Sequence, residues 1–198
     1  MPRIVDHEAR RTEIIEASWQ VIAAEGLPGL SMRKIADAAD CTTGRLTHYF
    51  ENREEIVLAA LRAVYDATAA RLAKVRRPLP PRERLVAYLE ETLPLDRERL
   101  LEWQVWIAFW SAATTEPLLA KENDERILGW VRALTPIVAA AAPHADAAHE
   151  AEALIALVNG VGLQAAVHPT AANKRRARAV VARRVAALVQ PPAGLAGW

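Results

Sequence analysis

Several cations sit where helix electrostatics disfavour them. Met32–Ala39 predicts a short helix opened by Ser31, and Arg33 and Lys34 hold its second and third positions. Thr43–Tyr49 predicts another opened by Thr42, with Arg45 third; Arg53 begins the helix after it. A cation in a first turn opposes the helix macrodipole and costs up to about 1 kcal/mol. A phosphate placed there turns the conflict into a binding site for which dipole and cation cooperate. Gly44 costs roughly 1 kcal/mol of helix propensity, and lets the backbone approach a phosphate or base edge. Arg45 has the fork geometry for bidentate contact with guanine. A second constellation is aromatic. In the segment LLEWQVWIAFW, Trp103, Trp106 and Trp110 recur at helical spacing, with Tyr88 before them and Trp130 after. Such rings hold a cation by their quadrupole or stack on a flat apolar ligand, and Glu91 or Glu102 would supply a countercharge. Ordinary core packing explains the same rings about as well. No nucleophile–base order, phosphate loop or paired-carboxylate motif stands out. The chemistry to expect is binding, with no enzyme activity, cofactor or metal.

The elements that position these residues are all helical, because no stretch alternates like a strand. A first helix spans roughly Glu8–Glu25 and stops at Gly26. Two short helices follow around the turn Asp40-Cys41. Asn52-Arg53-Glu54-Glu55 opens a long helix to Lys74 as a capping box. Two short helices joined by a few turn residues form a helix-turn-helix, which places its second helix in a DNA major groove. Arg33, Lys34, Arg45 and Arg53 would hold phosphates, assisted by Ser31, Thr42 and Tyr49. Thr43, Gly44, Arg45, Thr47 and His48 would face bases.

The stretches RRTEIIEASWQVIAAEGLPGLSMRKIADAAD and TTGRLTHYFENREEI, within residues 8–56, resemble the TetR family of transcriptional regulators. Thr42-Thr43-Gly44 through Thr47-His48-Tyr49-Phe50 is most similar to the BetI-like subgroup, typified by a choline-responsive repressor. The resemblance covers about a quarter of the chain. It implies an all-α homodimer with an N-terminal three-helix DNA-binding domain and a larger C-terminal ligand-binding and dimerisation domain. It also implies repression relieved by a small molecule. Three positions depart from the pattern. Asp40 stands at a turn position usually held by Gly, Thr47 replaces a common Tyr, and Arg53 replaces a Lys.

The chain has 198 residues, 52% hydrophobic, and a net charge of +1. Residues 1–53 hold seven basic and eight acidic side chains, which argues against DNA binding by bulk charge alone. One cysteine, Cys41, and a polar start point to a cytoplasmic protein. The apolar run Ala153–Val167, broken by Asn159 and Gln164, is read as too short to span a membrane. Arg77-Pro78-Leu79-Pro80-Pro81 is the expected boundary. It gives a reader at 1–53, a linking helix at 54–77, an effector and dimer domain at 78–190 and a disordered tail at 191–198. Further helices are expected at Arg82–Leu93, Asp96–Thr114, Leu118–Ala142 with a kink or split at Pro136, Ala148–Val167 and Thr170–Gln190.

Gly160 and Gly162 within an apolar helix suggest close helix approach. With Val181, Val185 and Leu188 of the last helix they form the expected dimer face, a four-helix interface. Lys174, Arg175, Arg176, Arg178, Arg183 and Arg184 read as a solvated face. His144, Asp146, His149 and Glu150 lack a dense metal-ligand spacing. The combined reading is a repressor that binds a pseudo-palindromic double-stranded operator and leaves it when a cationic or flat aromatic effector binds. A ligand-dependent activator or co-repressed regulator, and a helical ligand-binding protein that has lost DNA binding, remain alternatives.

Overall fold

A computed structural model describes residues 7–75 and 79–190. The expected disordered tail, the N-terminal arm and Arg77-Pro78 lie outside the described residues. Among the described residues the structure is helical, without strands. The helices are α1 (His7–Gly29), α2 (Met32–Ala38), α3 (Thr43–Leu46), α4 (Arg53–Ala73), α5 (Pro81–Glu91), α6 (Arg97–Ala113), α7 (Pro117–Ala141), α8 (Ala147–Val167) and α9 (Ala171–Val189). They form two compact units, one from residues 1–67 and 101–119, the other from 68–100 and 120–198.

The first unit is built on α1, α2, α3 and most of α4 and α6. Ile14, Ile22, Ile35, Leu46, Phe50, Ile56, Ala60 and Val64 make its core, joined by Val105 of α6. Ile14, Val21 and Ser18 of one α1 stripe and Ile15 and Ile22 of the other are all buried. The α1 helix breaks at Gly26, whose φ of 70° lies in the left-handed region that glycine enters without a Cβ penalty. Trp19 secures α1 to α4 by donating its indole N–H to the Ala60 carbonyl at 3.1 Å. Leu61, Phe109 and Leu119 form a smaller cluster in the same unit.

The second unit packs α5, α7, α8 and α9 with the end of α4. Leu85, Leu89, Leu134, Val138, Leu154, Val158, Val181 and Val185 lie at its centre. Asp96, Asp146 and Thr170 cap α6, α8 and α9 through backbone N–H donors three residues on. The α7 helix runs unbroken past Pro136 instead of splitting. Pro136 is exposed, so water can satisfy the carbonyl that its ring leaves without a donor. The α8 helix has 21 residues and, among the described helices, is the one long and apolar enough by composition to cross a membrane. The expectation that this segment is too short is therefore corrected. Its Ala151, Leu154, Val158 and Ala165 are instead buried in the core of the unit.

Candidate nucleic-acid interface and effector residues

The reading helix is short, capped and exposed. The Thr42 hydroxyl accepts from the Arg45 backbone N–H at 3.1 Å, and the Ser31 hydroxyl accepts from that of Lys34 at 3.3 Å. Regular α3 ends at Leu46, one turn before the expected Tyr49. His48 and Tyr49 continue as a tighter turn, donating to Arg45 and Leu46 carbonyls at 3.2 and 3.0 Å. Leu46 and Phe50 anchor this segment in the core, while Thr42, Thr43, Gly44, Arg45, Thr47 and His48 face solvent. A Cβ on Gly44 would meet only the Thr42 hydroxyl, at 4.0 Å. Nothing within the chain therefore demands glycine there.

The turn before α3 has a support that the sequence did not reveal. Asp40 adopts φ 48°, a conformation that short polar residues tolerate better than others. The Arg10 guanidinium donates to the Ala39 carbonyl at 2.9 Å and to that of Asp40 at 3.3 Å. Its hydrogen bond to Glu13 raises the Arg10 pKa above its ordinary value. The signal that could have found it is a cation one helix earlier, next to a turn short of donors.

Lys34 and Arg53 are less free than expected. Lys34 pairs with Glu25 and donates to the Gly29 carbonyl at 3.2 Å. Arg53 donates from Nε to the Leu30 carbonyl at 2.9 Å and from Nη2 to that of Leu27. Both serve the end of α1, whose last carbonyls lack helical donors. Arg33 and Arg45 remain exposed. The capping box forms in a modified way. Asn52 accepts from the Glu55 N–H at 2.9 Å, whereas the Glu55 carboxylate reaches the N–H of Glu51 at 2.8 Å. Tyr49 is half-buried against the His7 ring, 4.5 Å between centroids, and Arg11 lies 4.5 Å over the Phe50 ring. An open recess of about 640 Å³ is lined by residues 47–52, 54, 55 and 58.

The three α6 indoles form a contiguous aromatic cluster, with Trp103 buried and Trp106 and Trp110 half-buried. Trp103 and Trp110 meet edge to face at 5.8 Å, and Trp106 and Trp110 lie 6.1 Å apart. Trp106 also meets Phe109 edge-on at 6.1 Å and packs against the reader's own core. All three belong to the first unit, Tyr88 and Trp130 to the second. Glu91 does not serve as a countercharge for a ligand, because Arg71 and Arg99 already neutralise it. Glu102 is buried at 3% exposure on the indole-bearing helix.

The expected dimer residues divide. Val181, Val185 and Leu188 are 0, 0 and 5% exposed within a single protomer. That stripe is taken up by the protomer's own α8 and α5, which corrects the expectation that it meets a partner. Gly162 is buried too. Gly160 is exposed, and a Cβ there would meet nothing within 4 Å. Ala153, Ala156, Leu163 and Val167 are exposed beside it at helical spacing. The basic residues of α9 are largely engaged: Lys174 with the Leu95 carbonyl, Arg176 with Gln164, Arg178 with Glu90 and Arg184 with Glu150. Asp146 is spent on capping α8, and no group of three potential metal ligands exists among the described residues.

Comparison with known proteins agrees with this architecture. Residues 14–60 match the family described as bacterial regulatory proteins, tetR family, and residues 81–190 match the BetI-type transcriptional repressor C-terminal domain. The HTH-type transcriptional regulator PksA of Bacillus subtilis (strain 168) is 34% identical over 189 residues, covering 93% of this chain and 92% of that protein. BetI of Burkholderia cenocepacia (strain HI2424) is 30% identical over 171 residues, covering 84% and 87%. A transcriptional regulator from Saccharomonospora viridis, solved with choline, superposes with a TM-score of 0.81 at 23% identity, covering 90% and 96%. The multidrug binding protein EbrR, solved with malachite green, gives 0.64 at 29% identity, covering 88% and 96%. The chain belongs to the TetR family of transcriptional regulators, with a BetI-type C-terminal domain. It is a DNA-binding repressor of the ligand-responsive kind and not an enzyme; its family binds operator DNA as homodimers.

Proposed function

We propose that this cytoplasmic repressor reads a pseudo-palindromic operator through Thr43, Gly44, Arg45, Thr47 and His48. Residues 1–53 serve as reader, 54–77 as link and 78–190 as effector and dimer domain. The observation that carries this reading is the capped, outward-facing α3 with open space at Gly44. Arg33 and Arg45 are the readiest phosphate or base ligands. Lys34 and Arg53 would contribute by exchanging intramolecular partners for phosphate, with Ser31, Thr42 and Tyr49 assisting. The exposed α8 stripe through Gly160 is the proposed partner face. Two reading helices then need a separation of about 34–36 Å to enter successive major grooves.

The effector is proposed to be a cation or a flat aromatic held by indole rings, those of Trp103, Trp106 and Trp110 first. Choline and malachite green, both cationic and both bound by similar proteins, are the natural probes. An effector acts by preferring a dimer geometry other than the DNA-bound one.

The decisive experiment selects duplexes from a random pool with the purified protein, then titrates the selected duplex. Arg45→Ala is expected to weaken binding by about 1–3 kcal/mol and to relax base preference at one position per half-site. Unchanged affinity and preference would remove Arg45 from the interface. Indole fluorescence titrated with each probe, in wild type and Trp110→Phe, tests the effector reading. Trp110→Phe keeps a ring in place, whereas truncating Trp106 would also disturb the reader core that it packs against.

A further inference from the structure

We infer that Arg10 and Arg11, in the first turns of α1, are positioning residues that hold α3 at both ends, and not phosphate ligands. The inference goes beyond the operator reading and rests on it. All of its parts lie within the first compact unit. A helix of four residues cannot fix its own orientation, because closing one turn costs more backbone freedom than its few hydrogen bonds return. Leu46 and Phe50 are buried and tie this segment to the core. Apolar contact is non-directional, so those two anchors set the depth of α3 better than its angle.

Arg10 holds the turn that enters α3. Its Nη2 donates to the Ala39 carbonyl at 2.9 Å and to the Asp40 carbonyl at 3.3 Å. Glu13, one turn further along α1, pairs with Nη1 of the same guanidinium, and the Cys41 thiol lies beside it. The Arg10 side chain is only 18% exposed, so little of it is left to meet a phosphate. The turn needs such a hold. Asp40 sits at φ 48°, where a residue with a Cβ is at a disadvantage to glycine. Two carbonyls fixed by one guanidinium keep the backbone in that conformation.

Arg11 holds the segment that leaves α3. Its guanidinium lies 4.5 Å over the Phe50 ring and 3.4 Å from Glu55 Oε1. The other oxygen of that carboxylate accepts from the Glu51 N–H at 2.8 Å. One cation therefore joins Phe50, the loop after it and the first turn of α4. His7 adds a ring contact with Tyr49 at 4.5 Å. His7, Arg10 and Arg11 lie three or four residues apart, so they share one face of α1. Both arginines are used inside the domain. Operator binding feels them through the fraction of time that α3 spends in its binding orientation.

The test titrates the selected duplex over a range of salt concentrations. The full-length proteins are wild type, Arg10→Lys, Arg10→Met, Arg11→Met, Asp40→Gly and the double variant Arg10→Met, Asp40→Gly. Arg62→Met, which removes an exposed α4 cation, controls for the change of charge. Amide exchange at Arg45, Leu46 and Tyr49 is followed without DNA. Arg10→Met is expected to weaken binding about tenfold, the worth of one hydrogen bond from a charged donor. Arg11→Met should lose less, and Arg10→Lys should fall between Arg10→Met and wild type. In each, exchange in α3 should quicken while the slope of affinity against salt stays as in wild type. Asp40→Gly should recover part of the loss in Arg10→Met, yet change wild type by less than about twofold. A slope reduced by about one, with unchanged exchange, would make either arginine a phosphate ligand and overturn the inference. So would affinities that match Arg62→Met, or an Asp40→Gly gain equal in both backgrounds, which marks general stabilisation. If Arg10→Met does not fold, Arg10→Lys with and without Asp40→Gly carries the comparison. A wild-type protein that selects no duplex would instead undo the operator reading, while exchange in α3 still judges the two arginines.

Discussion

The reader and the α9 stripe were both found by pattern, yet they fare differently in the structure. Around α3, the candidate residues break local rules: cations in first turns and a glycine inside a short helix. Of these, Arg33, Gly44 and Arg45 prove exposed and no intramolecular contact explains Gly44, whereas Lys34 and Arg53 are half-buried and engaged at the end of α1. On α9 the candidates Val181, Val185 and Leu188 obey a rule, the helical repeat of apolar residues, and they prove to be core. Periodicity says that a face is buried but not whose surface buries it. A residue that costs stability where it stands marks a place to look for a partner, inside the chain for Lys34 and Arg53 and not inside it for Gly44.

The largest test of that contrast sets Leu188 against Gly160. Leu188→Ala empties a site 5% exposed in the protomer, and should cost about 2–5 kcal/mol by transfer and cavity terms. Gly160→Leu adds a side chain into open space. Within the protomer it should gain up to about 1 kcal/mol of helix propensity, while driving apart two partners seated on that face. Denaturant unfolding should therefore single out Leu188→Ala, and sedimentation should single out Gly160→Leu. A monomeric Leu188→Ala that unfolds like wild type would reverse the assignment of the two faces.

A smaller effect probes the reader. Thr42→Ala removes the hydroxyl that accepts from the Arg45 N–H and should cost about 1 kcal/mol. Because α3 has only four residues, the loss should fall on that helix, with faster amide exchange at Arg45 and Leu46 and weaker operator binding. Thr43→Ala, exposed and outside any cap, should change operator binding without changing exchange. Equal exchange in the two variants would mean that Leu46 and Phe50 alone hold α3 in place.

Most of the fold was legible because its punctuation is local. Gly26, Ser31, Thr42, Asn52, Asp96, Asp146 and Thr170 end or cap helices as their chemistry suggests. What stayed hidden depends on contacts distant in sequence. Arg10 reaches a turn about 30 residues away. Glu91, one of the two carboxylates expected to balance a cationic effector, is paired with Arg71 and Arg99 from other helices. Arg53 looked like a phosphate ligand because of its position, but two carbonyls at the end of α1 use its guanidinium. Long cations reach too far for sequence spacing to name their partners.

The smallest effect concerns Asp96, at the start of α6, and separates the charge of a cap from its geometry. Burial alone would raise its pKa. Hydrogen bonds from the Arg99 backbone and guanidinium, with the attraction of Arg99 and Arg71, outweigh this and hold it below the ordinary 3.8. A carboxyl whose folded pKa is depressed binds protons more readily in the unfolded chain. Its contribution is therefore complete above pH 3.8 and disappears as the pH falls through the lower folded value. The side chain is half exposed, so the gain is modest and salt-screened. Asp96→Asn keeps an oxygen for the Arg99 N–H and loses only the charge. Its melting temperature should lie slightly below that of wild type at pH 7 and 5. The gap should narrow below pH 3.8 and close under strong salt. A gap constant from neutral to strongly acidic solution would show that geometry, not charge, fixes Asp96, and that the ion pairs around Arg71 and Arg99 contribute little to holding α6.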